Sequence, residues 1–207
     1  MAKKVLELFA GSRSIGKAAE ALGLQVFSSD LKSFEGINYA VDVLEFDTKE
    51  VPFVPDVIWA SPPCTTYSIA AISHHRNGTE PKSDFAKKSD KMLEKIKELI
   101  EYYTSLNPSL LYYIENPRGM MRKMPVMRNY AFRHTVTYCQ YGDERMKPTD
   151  IWTNNIRWTP RAACKNGMSC HTPAPRGSRT GTQGLKNNYE RSKIPQQLCL
   201  EVLKATL

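Results

Sequence analysis

No run of apolar residues in the 207-residue chain approaches the roughly 20 that a membrane-crossing helix needs. The start, Met1-Ala-Lys-Lys4, leads straight into a β-forming stretch and lacks the apolar core of a secretory signal. Both absences predict a cytoplasmic protein with no membrane partner. Cysteine is scarce and odd in number, five residues, which argues against a disulfide framework and leaves reduced thiols, a metal site or a catalytic thiol. Acid is short relative to base: 21 Asp and Glu against 29 Lys and Arg leave a formal net charge of +8. Such a balance favours a polyanionic partner, nucleic acid first. The length suits one well-buried domain with a small appendage.

What is present begins with Asp56-Val-Ile-Trp-Ala-Ser-Pro-Pro-Cys-Thr-Thr-Tyr-Ser68. Val57, Ile58 and Trp59 are β-formers in a run too short for a helix and read as a buried strand. Pro62 and Pro63 fix φ and cannot donate to a ladder, and Ser61 before them is pushed to extended geometry. Cys64 therefore sits on a stiff turn at a strand's carboxyl end, the edge where open α/β sheets bind ligands. There it is either an ordinary reduced thiol or, given a lowered pKa or a neighbouring base, a nucleophile.

A second stretch, Leu110-Leu-Tyr-Tyr-Ile-Glu-Asn-Pro-Arg-Gly119, repeats the pattern: an apolar strand, an acid at its end, then proline. Glu115 can share a crevice with Cys64. A thiolate beside a carboxyl suits one reaction well. Sulfur adds to C6 of a cytosine while the acid protonates or hydrogen-bonds N3, and C5 becomes a carbon nucleophile. In order and separation, Pro62-Pro63-Cys64 and Glu115-Asn116-Pro117 resemble the proline-cysteine and Glu-Asn-Val motifs of the cytosine-C5 DNA methyltransferase family. The resemblance implies S-adenosylmethionine as cofactor and duplex DNA with a flipped cytosine as substrate.

Lys4-Val-Leu-Glu-Leu-Phe-Ala10 reads as the first strand, and Gly11-Ser-Arg-Ser-Ile-Gly16 as the turn into a helix ending near Leu22, with Gly23 just beyond it. Phe9-Ala-Gly11 resembles the family's first motif, with Arg13 and Ser14 where the family has glycines. Such bulk would crowd a close backbone approach. The Arg13 side chain faces either solvent or the cofactor carboxylate. The second strand, Leu24 to Ser29, ends at Asp30, placed to accept from ribose hydroxyls. Asp42 stands where the family contacts the adenine amino group. Either aspartate also reads as a turn or helix cap. The resemblance thus names Phe9, Gly11, Ser12, Asp30, Asp42 and Pro62 as cofactor-binding residues.

Thr65 to Lys91 is polar and aperiodic, which suggests a functional loop; the resemblance implies a loop that closes over the flipped base, and it is expected to be mobile. His74 and His75 within it could be metal ligands or catalytic bases but read better as phosphate or water contacts. Met92, Leu93, Ile96, Leu99, Ile100 and Tyr103 recur at helical spacing, predicting an amphipathic helix from Phe85 to Leu106. Arg118, Arg122, Lys123 and Arg128 form an acid-free run that either holds phosphates near Glu115 or is a basic surface with methionines tucked inward. Strands are predicted at Phe132 to Tyr141 and Asp150 to Thr153. Between them, Gly142-Asp-Glu-Arg-Met-Lys-Pro148 falls where the family contacts its target base. Arg118, with Arg145 or Lys147, is the candidate for substrate contact.

Cys139, Cys164, Cys170 and His171 suit a Cys₃His zinc site, in a segment too rich in Gly, Pro, Lys and Asn to build a core, or else are scattered thiols. Pro173 to Lys193, with Arg176, Arg179, Lys186, Arg191 and Lys193, reads as a phosphate-tracking loop or a flexible connection. A last helix from Ile194 to Leu203 begins with a proline in its first turn.

The expected fold is α/β, a Rossmann-like methyltransferase sheet with a small, zinc-stapled or loose, C-terminal insertion. Residues 1–155 make the catalytic unit, 156–193 a basic nucleic-acid-contacting segment, and 194–207 a helix returning to the catalytic unit. The family usually carries a target-recognition domain where this chain has only Trp152 to Ser192. The rival expectations are a non-catalytic nucleic-acid-binding protein that kept the fold, and an enzyme acting on RNA.

Overall fold

In this computed structural model residues 2–173 and 187–207 are described. Arg176, Arg179 and Lys186, expected on a phosphate-tracking loop, lie outside the described residues.

Short apolar runs become the central strands. β1 (Lys4–Leu8) is followed by α1 (Ser14–Ala21), β2 (Gln25–Asp30), the short β3 (Tyr39–Ala40) and β4 (Val57–Ala60). After β4 come a four-residue helix α2 (Ile72–His75) and a small hairpin of β5 (Arg76–Asn77) with β6 (Glu80–Pro81). Then follow α3 (Asp84–Leu106), β7 (Leu111–Pro117), β8 (Phe132–Thr137), β9 (Pro148–Thr153), α4 (Asn188–Ser192) and α5 (Gln196–Lys204). Seven strands form one sheet in the order β3-β2-β1-β4-β7-β9-β8, parallel except where β9 runs antiparallel to both neighbours.

Both faces of the sheet are covered, so its central strands are mostly apolar rather than alternating with polar residues, Glu7 and Glu115 being buried exceptions. Each strand instead divides its side chains between two cores. Leu6, Leu8, Ile58, Ala60, Ile114 and Trp152 pack on one face with Met92, Leu93, Ile96, Leu99, Ile100 and Tyr103 of α3. Val5, Val57, Trp59, Tyr113 and Ile151 pack on the other with Ile15, Ala18 and Ala19 of α1 and Leu198, Cys199, Val202 and Leu203 of α5. Helix ends are settled locally. Ser83 Oγ accepts from the Ala86 N–H to start α3, and Asn107, held extended by Pro108, stops it. α1 ends with Gly23 at φ +74°, its N–H on Glu20 O and that of Leu24 on Ala19 O, a Schellman closure.

Three expectations change. Phe132 to Tyr141 is not one strand: β8 stops at Thr137, and Tyr138–Tyr141 tightens into a 3-10 turn that buries Tyr138, Cys139 and Tyr141 together. Thr65 to Lys91 is not an unstructured loop. A 3-10 turn (Thr65–Tyr67), α2, the β5-β6 hairpin and the first turns of α3 fill it. Buried Arg76 pins these pieces, donating to Thr66 O (2.9 Å), Thr79 O (3.1 Å) and the Asp90 carboxylate while lying 4.4 Å over the Tyr67 ring. β9 begins at Pro148, two residues before the predicted Asp150. Among the described residues, no helix is long and apolar enough to cross a membrane.

Candidate active site

From β1 the chain runs outward to β2 and β3; from β4 it runs the other way to β7. The carboxyl ends of β1 and β4 therefore flank the topological switch point, where a crevice opens in such sheets. A cavity of about 580 Å³ lies there. One wall comes from the ends of β4 and β7: Pro62, Pro63, Cys64, Thr65, Ser68, Glu115, Pro117 and Arg118. The other comes from the β1 turn: Glu7, Phe9, Ala10, Ser12 and Ser14. Lys147, Arg191, Ser192 and Ile194 close the rim.

On the first wall, proline and asparagine set the geometry. Asn116 Nδ2 donates to Pro62 O at 2.9 Å, tying the end of β7 to the turn that carries Cys64. Cys64 then heads the 3-10 turn, its carbonyl accepting from the Tyr67 N–H at 3.0 Å. The Tyr67 carbonyl passes so close to Gly119 that any side chain there would displace it. Tyr67 OH donates to Asp90 at 2.8 Å, anchoring the turn to α3. Glu115 is buried, and its Oε1 accepts from Tyr138 OH at 3.0 Å. Cys64 is exposed as a residue but its thiol faces the cavity walls; their desolvation, and then the Glu115 carboxylate, push it up. Lys147 and Arg191 act in the opposite sense, so the rim cations favour the thiolate.

The second wall is carried by a turn of unusual backbone conformation. Phe9, Gly11 and Arg13 all have positive φ, 56°, 48° and 55°. Left-handed conformations at non-glycine residues are costly and cluster at ligand-holding turns. Side chains brace the turn. Asp30 accepts from the Gly11 N–H at 2.9 Å and the Lys32 N–H at 3.0 Å. Buried Glu7 accepts from the Ile15 N–H at 3.1 Å and Ser28 Oγ at 2.8 Å, and burial pushes its carboxyl up to about 7 against those hydrogen bonds.

The arrangement resolves several alternatives. Arg13 does not crowd the cavity: its left-handed backbone sends the guanidinium back to Glu20, Ser28 Oγ (3.2 Å) and the surface over Gly36, so it faces neither open solvent nor the cavity. Arg145 is buried on Asp143, with Nε 2.8 Å from Oδ1, and does not line the cavity, whereas Lys147 does. Lys147 lies 4.5 Å over the Tyr138 ring and donates to Arg191 O at 2.9 Å. Burial lowers its pKa, with the Glu115 charge opposing. Arg122 clasps buried Asp150, 2.9 Å from Nε to Oδ2, and Met121, Met124 and Met127 are buried, so of the basic run Arg118 is the member that reaches the cavity. Asp42 caps a 3-10 turn through Leu44 N and pairs with Lys88 at 2.6 Å; neither it, Asp30 nor Gly11 is in the cavity wall. His75 Nδ1 lies 2.9 Å from Ser83 Oγ, away from the cavity.

Sequence reasoning passed over Glu7 and Tyr138. The signal for Glu7 was an acid alone in an apolar strand, which has to find donors when buried. Tyr138 carried none, because its partner Glu115 is 23 residues away.

Outside the cavity wall, Cys139, Cys164, Cys170 and His171 converge, their donor atoms all within 4.8 Å of one another.

No family model matches the chain. The probable DNA (cytosine-5)-methyltransferase of frog virus 3 (isolate Goorha) is 31% identical over 222 residues, covering 97% of this chain and 98% of that one. A mutant of Spodoptera frugiperda DNMT2 superposes with a TM-score of 0.52 at 17% identity, over 80% of this chain and 57% of that one, a likeness of fold alone. The S. pombe Dnmt2 methyltransferase gives 0.49 at 12% identity, over 74% of this chain and 49% of that one. The chain thus spans about half the length of those solved structures. Related along nearly its whole length to the viral protein and folded as an α/β methyltransferase sheet, the chain belongs to the cytosine-5-methyltransferase family.

Proposed function

We propose that the protein methylates C5 of a cytosine flipped out of duplex DNA, with Cys64 as nucleophile and Glu115 as the acid at N3. The observation that carries this is the joint presence of Cys64 and Glu115 in one cavity, from the ends of adjacent parallel strands bridged by Asn116 and Pro62. DNA as substrate draws on the name of the viral relative and on the net charge of +8.

Family membership implies S-adenosylmethionine, and the β1 wall fits such a group: apolar Phe9 and Ala10, the hydroxyls of Ser12 and Ser14, and a strained turn that presents backbone. Phe9, Ser12 and Pro62 would hold it, with Gly11 and Asp30 shaping the turn behind. When bound there, S-adenosylmethionine supplies the methyl group that C5 accepts. The chain's own residues prepare and release the base. The Cys64 thiol gives its proton to solvent, aided by the charges of Lys147 and Arg191, and Sγ bonds to C6. Glu115, its Oε1 held by Tyr138, takes up a proton from solvent and passes it to N3, so the ring's electrons collect at C5. After transfer a base removes the C5 proton, the C6–S bond breaks, and Cys64 is restored as N3 returns its proton to Glu115. Arg118 and Lys147 face the substrate's phosphate or base edge. In this reading residues 1–155 and 194–207 form the catalytic unit and 156–193 a nucleic-acid-contacting appendage.

The test is covalent trapping. The protein is incubated with labelled S-adenosylmethionine and duplex DNA carrying 5-fluorocytosine, then denatured and separated by electrophoresis. A complex that survives denaturation and disappears in Cys64→Ala protein is expected. A complex with fluorinated transfer RNA alone would move the substrate to RNA. No complex with either, from folded protein that retains DNA, would make it a binding protein that kept the fold.

A further inference from the structure

The Cys/His cluster is no part of the cavity, and nothing in the proposed reaction uses it. Its donors come from two places. Cys139 sits on the 3-10 turn Tyr138–Tyr141 after β8; Cys164, Cys170 and His171 come from the segment that follows β9. Cys164 Sγ lies 3.2 Å from Cys170 Sγ and 3.4 Å from His171 Nδ1; Cys170 Sγ lies 3.7 Å from Cys139 Sγ and from His171 Nδ1. Sulfur and nitrogen donors at about 2.3 and 2.0 Å from a tetrahedral ion stand roughly 3.5 to 3.8 Å apart. These four separations, 3.2 to 3.7 Å, are close to those edges, and all six lie within 4.8 Å, whereas a disulfide needs about 2.05 Å and would leave two of the four donors without a reason to converge.

The surrounding chain points the same way. From Thr159 to Pro173, Cys164 is the one buried residue, so no apolar core holds this stretch in place. Polar ties converge on the ligands instead. The Cys164 N–H donates to Thr137 Oγ1 at 2.8 Å, and Gln140 Nε2 donates to Cys170 Sγ at 3.3 Å, the kind of outer hydrogen bond that stabilises a metal-bound thiolate. Thr172 N–H reaches Glu144 O at 3.0 Å.

We propose that Cys139, Cys164, Cys170 and His171 bind one Zn²⁺ as a closed structural site. Four protein donors, three of them soft thiolates, select zinc and leave no open position for chemistry. The ion replaces the core that residues 159–173 lack, and it ties them to the turn whose Tyr138 holds Glu115. This inference is independent of the methyl-transfer reading.

Metal analysis tests it. The full chain, purified under reducing conditions without a histidine tag, should carry about one zinc per molecule by plasma mass spectrometry. Cys164→Ser and Cys170→Ser should each lose it, and Cys64→Ser should keep it. If those variants do not fold, the wild-type protein serves: a mercurial reagent releases the zinc, and Co²⁺ added back gives the thiolate charge-transfer and visible bands of a tetrahedral site. Metal removal should also open the 159–173 segment to trypsin, and zinc should close it again. The proposal fails if folded protein refuses zinc and cobalt, if both serine variants keep full zinc, if Cys164 and Cys170 are found as a disulfide, or if iron occupies the site. It fails as a staple if the tryptic pattern ignores the metal.

Discussion

The two walls of the cavity are built by opposite means. On the β4/β7 side, side-chain identity matters and the backbone is held stiff to present it: two prolines precede Cys64, Asn116 clamps the turn, and Arg76 pins the segment beyond. On the β1 side the conformation of the backbone sets the surface. Three positive φ values shape the turn, Asp30 and Arg13 work from behind it, and Glu7 braces it from the cavity floor. Substitutions on the first wall should therefore destroy chemistry with little loss of fold. Those on the second should shift stability more than chemistry.

The sharpest division is expected at Cys64. Cys64→Ala should lower methyl transfer by about 10⁴-fold or more, with S-adenosylmethionine affinity by calorimetry little changed. Residual transfer at a tenth of the wild-type rate would end the covalent route. Glu115→Gln should cost roughly 10²- to 10⁴-fold in kcat. Tyr138→Phe removes one hydrogen bond to the same carboxyl and should cost about tenfold. Equal losses in the two would mean that Tyr138 does more than orient.

Lys147 tests the electrostatics that bridge the walls. Its positive charge lowers the Cys64 thiol, so Lys147→Gln should move the rising limb of kcat against pH to higher pH. An unmoved limb would show that the lysine serves the substrate alone.

The β1 wall answers to pH through Glu7. The folded protein keeps this carboxyl protonated to about pH 7, whereas the unfolded chain ionises it near 4.5. The folded state holds the extra proton between those values. Its stabilisation is therefore complete below 4.5 and is lost as pH rises through 7, a change of about 3 kcal/mol. Glu7→Gln should flatten that fall in urea titrations at pH 5 and 8; an unchanged slope would place its cause elsewhere. The smallest effect is expected at Arg13. Arg13→Gly relieves a left-handed residue worth about 1 kcal/mol and gives up the contacts to Glu20 and Ser28, which nearly offset it. A tenfold change in cofactor affinity would put the guanidinium in the cavity after all.

Cys64 and Glu115 were legible because the signals around them are local. Proline ends a strand wherever it stands, and an acid or thiol beside it is left at the strand's edge. α3 was legible for the same kind of reason, since its buried residues repeat with the helical period. Arg122 and Arg13 were not. Whether a cation is free depends on which acid the fold brings to it, and Asp150 reaches Arg122 from 28 residues away. The turn at Tyr138–Tyr141 was hidden because its alternation still reads as strand until the chain tightens.

The sequence by itself determined the central strands β1, β2, β4 and β7, the long helix α3, the stiff cysteine turn and the acid that answers it, because periodicity and proline act over a few residues. Only the tertiary structure decided which of these meet. It set the reversal of strand order that opens the cavity between β1 and β4, chose Lys147 over Arg145 at its rim, and drew Cys139 together with Cys164, Cys170 and His171. Those are contacts between residues far apart in the chain, and they exist only once the two cores have closed around the sheet.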